Sequence, residues 1–442
     1  MTEVLVKQGR LQGVEKDGCL VFKGVPYASP PVGRLRFRAP QECMPWDGVY
    51  YADHFGKTCW QKKQEANSFY DIEFYRNTEY HTDFDEDCLY LNIWAPTESF
   101  GKKRPVAVWI HGGAFDHGSG HEMEFDGAEY AKRGVILVSI NYRVGVFGYL
   151  AHRWLSEENS DGVSGNYGMM DQIAALKWVR ENIAAFGGDA ENITIFGQSA
   201  GAMSVQGLVS SQLTKDWIAK AIMQSGGGYG IPLLKWQTLR EAEKTGEEFM
   251  EFCKIQSLKE LRNISAQALL EKQNVFCEQR AMRGLLFTPN IDGYVLKESY
   301  DSCIENGRIR KIPYMVGSTL NDIGVVPKRL TQGIRGPLYE GCIHFGQMME
   351  QISGENIYIY DFRRRLPGDE AGAFHSAELW YMFGTYKRCW RPFSEKDGKL
   401  SEKMLDAWTC FMESSVPGGE WKPYTEENPY VQVFDISDIQ EE

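Results

Sequence analysis

The run Ile193-Thr194-Ile195-Phe196, followed by Gly197-Gln198-Ser199-Ala200-Gly201 and then Ala202-Met203-Ser204-Val205, constrains this chain more than any other stretch. An apolar, β-branched run that stops at glycine and gives way to an apolar helix-like segment reads as strand, tight turn, helix. On such a turn the central serine is held in a strained backbone conformation above the sheet edge. It also stands at a helix N-terminus, whose dipole favours developing negative charge. Side chains at the flanking glycine positions would collide with the neighbouring strand or helix. The pattern Gly-x-Ser-x-Gly alone also describes an ordinary glycine-rich turn; the strand before it and the helix after it separate the two readings.

The surrounding sequence repeats this grammar. CLYLNIWAP, PVAVWIHGG and VILVSINY precede the serine, and KIPYMVGST and IYIYDFR follow it. Near-continuous apolar strands imply burial on both faces, as in a mostly parallel sheet. Between them, Ile173, Ala174, Leu176, Trp178, Val179 and Ile183 recur at helical spacing until Gly187-Gly188. The chain is therefore expected to fold as α/β, with a central mostly parallel twisted sheet flanked by helices. Residues 1–442 are read as one domain without a Pro- or Ser-rich linker. Its start is hairpin-like, residues 53–87 form a surface excursion, and helical elaborations lie at 233–285 and 330–380. The first elaboration is read as helices at the sheet's edge or as part of a cap over the site.

The balance of 48 Lys+Arg against 60 Asp+Glu gives a net charge of -12, which repels phosphate backbones and anionic surfaces. Nucleic acid is not an expected partner. No apolar run of about eighteen residues is present to span a membrane, and the N-terminus lacks the apolar core of a secretory signal. The ten cysteines form no CxxC pair. The expected location is cytoplasmic; oligomeric state is not legible.

A serine hydroxyl needs a base and a place for the oxyanion. His111-Gly112-Gly113-Ala114-Phe115 also stands at a strand end. Small residues there let backbone N–H groups approach a tetrahedral intermediate. Gly113 and Ala114, with Ala200 after the serine, are the expected donors; Gly112 and His111 support the loop. A metal cluster of His111, His117 and His121 is disfavoured, because their spacings differ and no acidic or Cys ligands accompany them. No metal or organic cofactor is expected. Among eight histidines, His375 lies well downstream of Ser199, as the order serine, acid, histidine requires. Asp322, after the strand KIPYMV, is the expected acid that orients it, although Asn321-Asp322 would also suit a turn. Phe115, Phe287, Trp380, Tyr381 and Phe383 are candidate pocket walls, weighed against aromatics that simply fill the core.

Together these residues resemble the type-B carboxylesterase family, which includes para-nitrobenzyl esterases, liver carboxylesterases and cholinesterases. The resemblance runs through FKGVPYASPPVGRLRF, EDCLYLNIWAP, HGGAF, the elbow region 165–205, AIMQSGG, FTPNIDG and GAFHSAELWYMFGT. It implies the α/β-hydrolase fold, Ser199 as nucleophile, His375 as base, an acid near residue 322, and Ser225 hydrogen-bonded to that acid. Many members carry Glu in a D-E-G turn where this chain has Asn321-Asp322-Ile323-Gly324. An isoleucine cannot orient a histidine, so Asp322 takes the role, with a displaced strand end or His loop to compensate for its length. The stretch from acid to histidine is shorter than in cholinesterases, which implies a more open site. Cys59 and Cys88 stand at the family's first disulfide position and either bond or remain two thiols.

The resulting expectation is hydrolysis of small-molecule carboxylic esters through an acyl-enzyme. The same residues would serve an amidase, a carbamate hydrolase or a thioesterase. A non-catalytic binding module of the same fold is the alternative from another class.

Overall fold

In the computed structural model, which describes residues 2–231 and 235–439, ten strands form one sheet. In chain order they are β1 (Val14–Lys16), β2 (Cys19–Pro26), β3 (Tyr90–Pro96), β4 (Arg104–Ile110) and β5 (Ile136–Ile140). There follow β6 (Gly188–Gln198), β7 (Lys220–Gln224), β8 (Tyr314–Thr319), β9 (Ile357–Phe362) and β10 (Val431–Phe434). Across the sheet the order is β10-β9-β8-β7-β6-β4-β5-β3-β2-β1. From β10 to β5 every neighbouring pair is parallel. The pairs β5–β3, β3–β2 and β2–β1 are antiparallel. The mostly parallel sheet expected from the apolar runs is therefore present, with an antiparallel edge built by the N-terminal segment.

Period-two alternation explains how such runs fill two cores. Val106, Val108 and Ile110 of β4 enter one apolar cluster, whereas Ala107 and Trp109 enter the cluster on the other face. The helix Tyr167–Asn182 packs on the first face, tightens through a 3-10 turn over Ile183–Phe186 and stops at Gly187, whose φ of 84° is left-handed. The helix Glu395–Ser414, which the sequence reading did not single out, sends Leu400, Met404, Trp408 and Phe411 into the second cluster.

The first helical elaboration contains Leu239–Cys253, Leu258–Asn263 and Ala266–Glu278; its residues 233–234 lie outside those described. The second holds the helix Pro337–Ile352, strand β9 and the short helix Leu379–Met382. Cys59 and Cys88 are both buried and stand side by side.

Candidate active site

The loops at the C-terminal ends of the parallel strands converge on one point. Strand β6 ends at Gln198 and the helix Ala200–Ser210 begins two residues later, so Ser199 alone makes the turn. Its φ of 56° and ψ of -125° are a conformation L-residues rarely hold. A Cβ on Gly201 would overlap the Ile110 carbonyl oxygen, and one on Gly197 would meet the backbone of Gly201 and the same oxygen. The expectation that β4 and the helix leave room only for glycine is thereby met.

Strand β8 runs out into Asn321 and Asp322. The buried Asp322 carboxylate accepts hydrogen bonds from the backbone N–H of Thr319 at 3.0 Å and of Ile323 at 2.8 Å. Its Oδ1 also accepts from His375 Nδ1 at 2.6 Å. Asn321 brings the two loops together: its N–H donates to the Ala373 carbonyl and its Oδ1 accepts from the Ala373 N–H, both at 2.9 Å. This two-bond bridge places the histidine loop against the strand end, so the short aspartate reaches the imidazole. The bracing role of Asn321 was missed in the sequence, where it reads only as a turn residue.

Burial disfavours charge on His375, but the adjacent Asp322 carboxylate and its hydrogen bond hold the imidazole above its ordinary pKa. Burial likewise pushes Asp322 up, and the His375 charge with the hydrogen bonds around it brings the carboxyl below its usual value. Ser225 Oγ lies close enough to contribute to that lowering, yet it is outside hydrogen-bonding geometry. The expected Ser225 bond is thus a neighbouring dipole. Glu378, one turn beyond the histidine, is fully buried and pushed up to about 7 by burial and by the Asp322 charge. With Nδ1–H directed at Asp322, His375 Nε2 is an acceptor, and the Gln198 amide N–H donates to it at 3.2 Å.

The loop after β4 supplies the other side. Gly113 and Ala114 have φ values of 97° and 55°, which turn successive N–H groups outward. The N–H groups of Gly113, Ala114 and Ala200 donate to no other group among the described residues. His111 stacks on Tyr142, whose hydroxyl donates to the His111 carbonyl at 2.8 Å. Burial holds this imidazole neutral, down to about 3. The three histidines of the loop point to different surroundings: His111 to Tyr142, His117 to the cavity, and His121 to Phe55 and the Thr58 and Thr82 hydroxyls.

Ser199, His375, Gly112, Gly113, Ala114 and Gln198 line one cavity of about 270 Å³. Its remaining walls correct the sequence reading. Phe115 is wholly buried against Tyr149. Phe287 packs on Phe249 and Phe276 within the first helical elaboration. Trp380 donates to Glu73, Tyr381 donates to Asp397, and Phe383 packs on Trp109. All five aromatics are core, because each finds apolar contacts or a buried acceptor there. The actual walls include Gln64, Tyr70, Phe74 and Tyr75 from the excursion 53–87, together with Ile323 and Leu379. The aromatic density of Ser68-Phe69-Tyr70-Asp71-Ile72-Glu73-Phe74-Tyr75 is the signal that could have found them.

Chemically, a hydroxyl on a strained turn, an imidazole oriented by a carboxylate, and free N–H groups facing one cavity suit acyl transfer. The profile of the carboxylesterase family matches residues 1–335 and 339–440. The para-nitrobenzyl esterase of Bacillus subtilis (strain 168) is 32% identical over 98% of this chain and 94% of that protein. The fumonisin B1 esterase of Sphingopyxis macrogoltabida is 38% identical over 72% of this chain and 55% of its own length. Among solved structures, a thermophilic para-nitrobenzyl esterase superposes with a TM-score of 0.86 at 30% identity, covering 98% of this chain and 96% of that one. A carboxylesterase of Geobacillus stearothermophilus gives 0.81 at 32% identity, over 99% and 96%.

Proposed function

This chain belongs to the carboxylesterase family, a serine carboxylic ester hydrolase of the α/β-hydrolase fold, and from that premise we propose that Ser199, His375 and Asp322 form its catalytic triad. The observation that carries the assignment is the 2.6 Å bond from His375 to Asp322 beside the cavity that also holds Ser199. His375 takes the Ser199 proton as the hydroxyl attacks the ester carbonyl. The N–H groups of Gly113, Ala114 and Ala200 receive the oxyanion. His375 then gives its proton to the leaving alcohol, and a water deprotonated by the same ring hydrolyses the acyl-enzyme. Asp322 fixes the tautomer and stabilises the imidazolium. Gly112, His111 and Ser225 support these groups.

The substrate is a small-molecule ester. We read the chain as a single catalytic unit, and its ten cysteines, all free thiols, support a reducing, cytoplasmic setting. The membership of the family and the esterase relatives set aside the non-catalytic binding module.

The test is hydrolysis of short and medium para-nitrophenyl esters by the wild type and by Ser199→Ala. The expected result is turnover by the wild type and loss of at least about 10³-fold in the variant. Retained activity in Ser199→Ala would overturn the assignment. Matched anilides and thioesters in the same assay separate ester hydrolysis from the related acyl transfers.

A further inference from the structure

Behind the wall made by the excursion lies a second chamber of about 290 Å³, beside the one of about 270 Å³ that holds Ser199. Gln64, Phe74, Tyr75 and Glu122 line both, so these four side chains are the partition between them. Phe74 is locked by stacking on Trp380, and Glu122 by its Oε1, which accepts from the Ser119 N–H at 2.8 Å. Tyr75 closes a single π-helical turn, Asp71–Tyr75, a rare geometry that frequents functional sites. Its carbonyl accepts from His81 Nε2 at 2.8 Å, and its hydroxyl meets the Glu122 carboxyl and the Gln64 amide. The ring is therefore held at both ends.

The second chamber asks for an apolar occupant. Ala66, Tyr80, Phe84 and Met123 line it. Its polar groups already have partners. Thr58 and Thr82 share a hydrogen bond at 2.8 Å, and the Gln61 amide bonds the Gly118 carbonyl at 2.9 Å and N–H at 2.7 Å. None of the described polar atoms lining the chamber is buried without a partner. Lys62 and Lys63 also line it but are exposed, with their ammonium heads in water. A polar group entering this chamber would lose its water and find no free partner, whereas methylenes gain by burial.

The side of the ester that faces the chamber follows from the proton. In the proposed mechanism His375 protonates the leaving alcohol, so the alcohol departs on the imidazole's side. The excursion stands on that side: the Tyr70 hydroxyl donates to the His375 carbonyl at 3.3 Å, and the Tyr70 ring stacks on Phe74.

We propose that Tyr75 limits the length of the ester's alcohol group, and that the chamber behind it takes an alkyl tail once the ring is removed. The inference rests on the esterase reading and adds a substrate class to it, esters of short-chain alcohols.

The experiment measures kcat/KM by acid release for butyl and octyl butyrate, and for the reciprocal pair of ethyl butyrate and ethyl octanoate. Each methylene newly buried is worth about fourfold. The octyl-to-butyl ratio is therefore expected to rise at least about tenfold in Y75A, and in Y75V should Y75A not fold. It should stay at the wild-type value in Y75F, which keeps the ring, and fall back in Y75A/A66W, which refills the chamber. The ratio for the two ethyl esters should not move. An unchanged octyl-to-butyl ratio in the folded variant, or an equal or larger gain in the acyl series, would overturn the proposal. Calorimetric titration with 1-octanol and 1-butanol reads the same chamber, and the octanol margin should widen in Y75A and not in Y75F. The titration needs no turnover: a wild type that hydrolyses no ester would defeat the esterase reading while the heats still decide the chamber.

Discussion

At the scale of single residues, the site turns on what faces His375 Nε2. Gln198 donates to it at 3.2 Å, so the nitrogen proposed to accept the serine proton is already solvated by a neutral amide. Replacing that amide with a carboxylate puts a negative charge where the dipole was and favours the imidazolium. His375 is already held above its ordinary value by Asp322. In Q198E the pKa rises further, and the base becomes available only at higher pH. The acidic limb of the kcat/KM profile is expected to move up by about one pH unit; a limb that stays or moves down would exclude this role. The residues proposed for the triad stood out where chemistry leaves few options, Ser199 by its glycines and His375 and Asp322 by the order along the chain, and the structure brings His375 to Asp322 beside the cavity that Ser199 lines. The pocket walls were not legible, because the aromatic spacing near Trp380 is the same for a core and for a cavity. Only the buried acceptors Glu73 and Asp397 decide it.

At the scale of elements, strands β3 to β6, β8 and β9 could be read directly, since apolar runs ending at glycine or polar residues admit few alternatives. Strand β10 and the helix Glu395–Ser414 escaped, the helix because its charged face dilutes the apolar stripe. The first helical elaboration left two readings open, edge or cap. None of its described residues lines the cavity. It reaches the oxyanion loop indirectly, through Gln273, whose amide donates to Asp116 Oδ1 at 2.5 Å and accepts from the Val146 N–H at 2.6 Å. Helix Leu239–Cys253 starts with a capping box in which the Thr238 hydroxyl accepts from the Glu241 N–H and the Glu241 side chain accepts from the Thr238 N–H. Thr238→Ala is expected to cost about 1 kcal/mol in urea unfolding. Its kcat/KM for a neutral ester should stay within about twofold of the wild type. A large kinetic effect would mean that this helix is part of the site.

At the scale of the whole molecule, one buried carboxylate joins distant parts of the chain. Glu73, in the excursion, accepts from Trp380 Nε1 at 2.9 Å, Trp390 Nε1 at 3.1 Å and Arg391 Nε at 2.9 Å. Phe74 beside it stacks on Trp380, and the Tyr70 hydroxyl donates to the His375 carbonyl at 3.3 Å. Glu73→Gln removes an acceptor from a buried Arg391, leaving it with Asp369. Because Arg391 keeps Asp369, the expected cost is that of weakened charge-assisted hydrogen bonds, about 1.5–3 kcal/mol in thermal or urea unfolding. KM for neutral esters should rise more than kcat falls, because the wall is loosened and the triad is not. The cavity therefore has two lineages of parts. Of the groups proposed to react, Ser199 and Asp322 follow strand ends, and His375 is held against one of those ends through the bridge from Asn321 to Ala373. Three rings of the wall come from a surface excursion tied down by one carboxylate. A chain built this way can exchange its appetite for one kind of ester against another by rewriting residues 61–75, while the apparatus that breaks the bond is inherited unchanged.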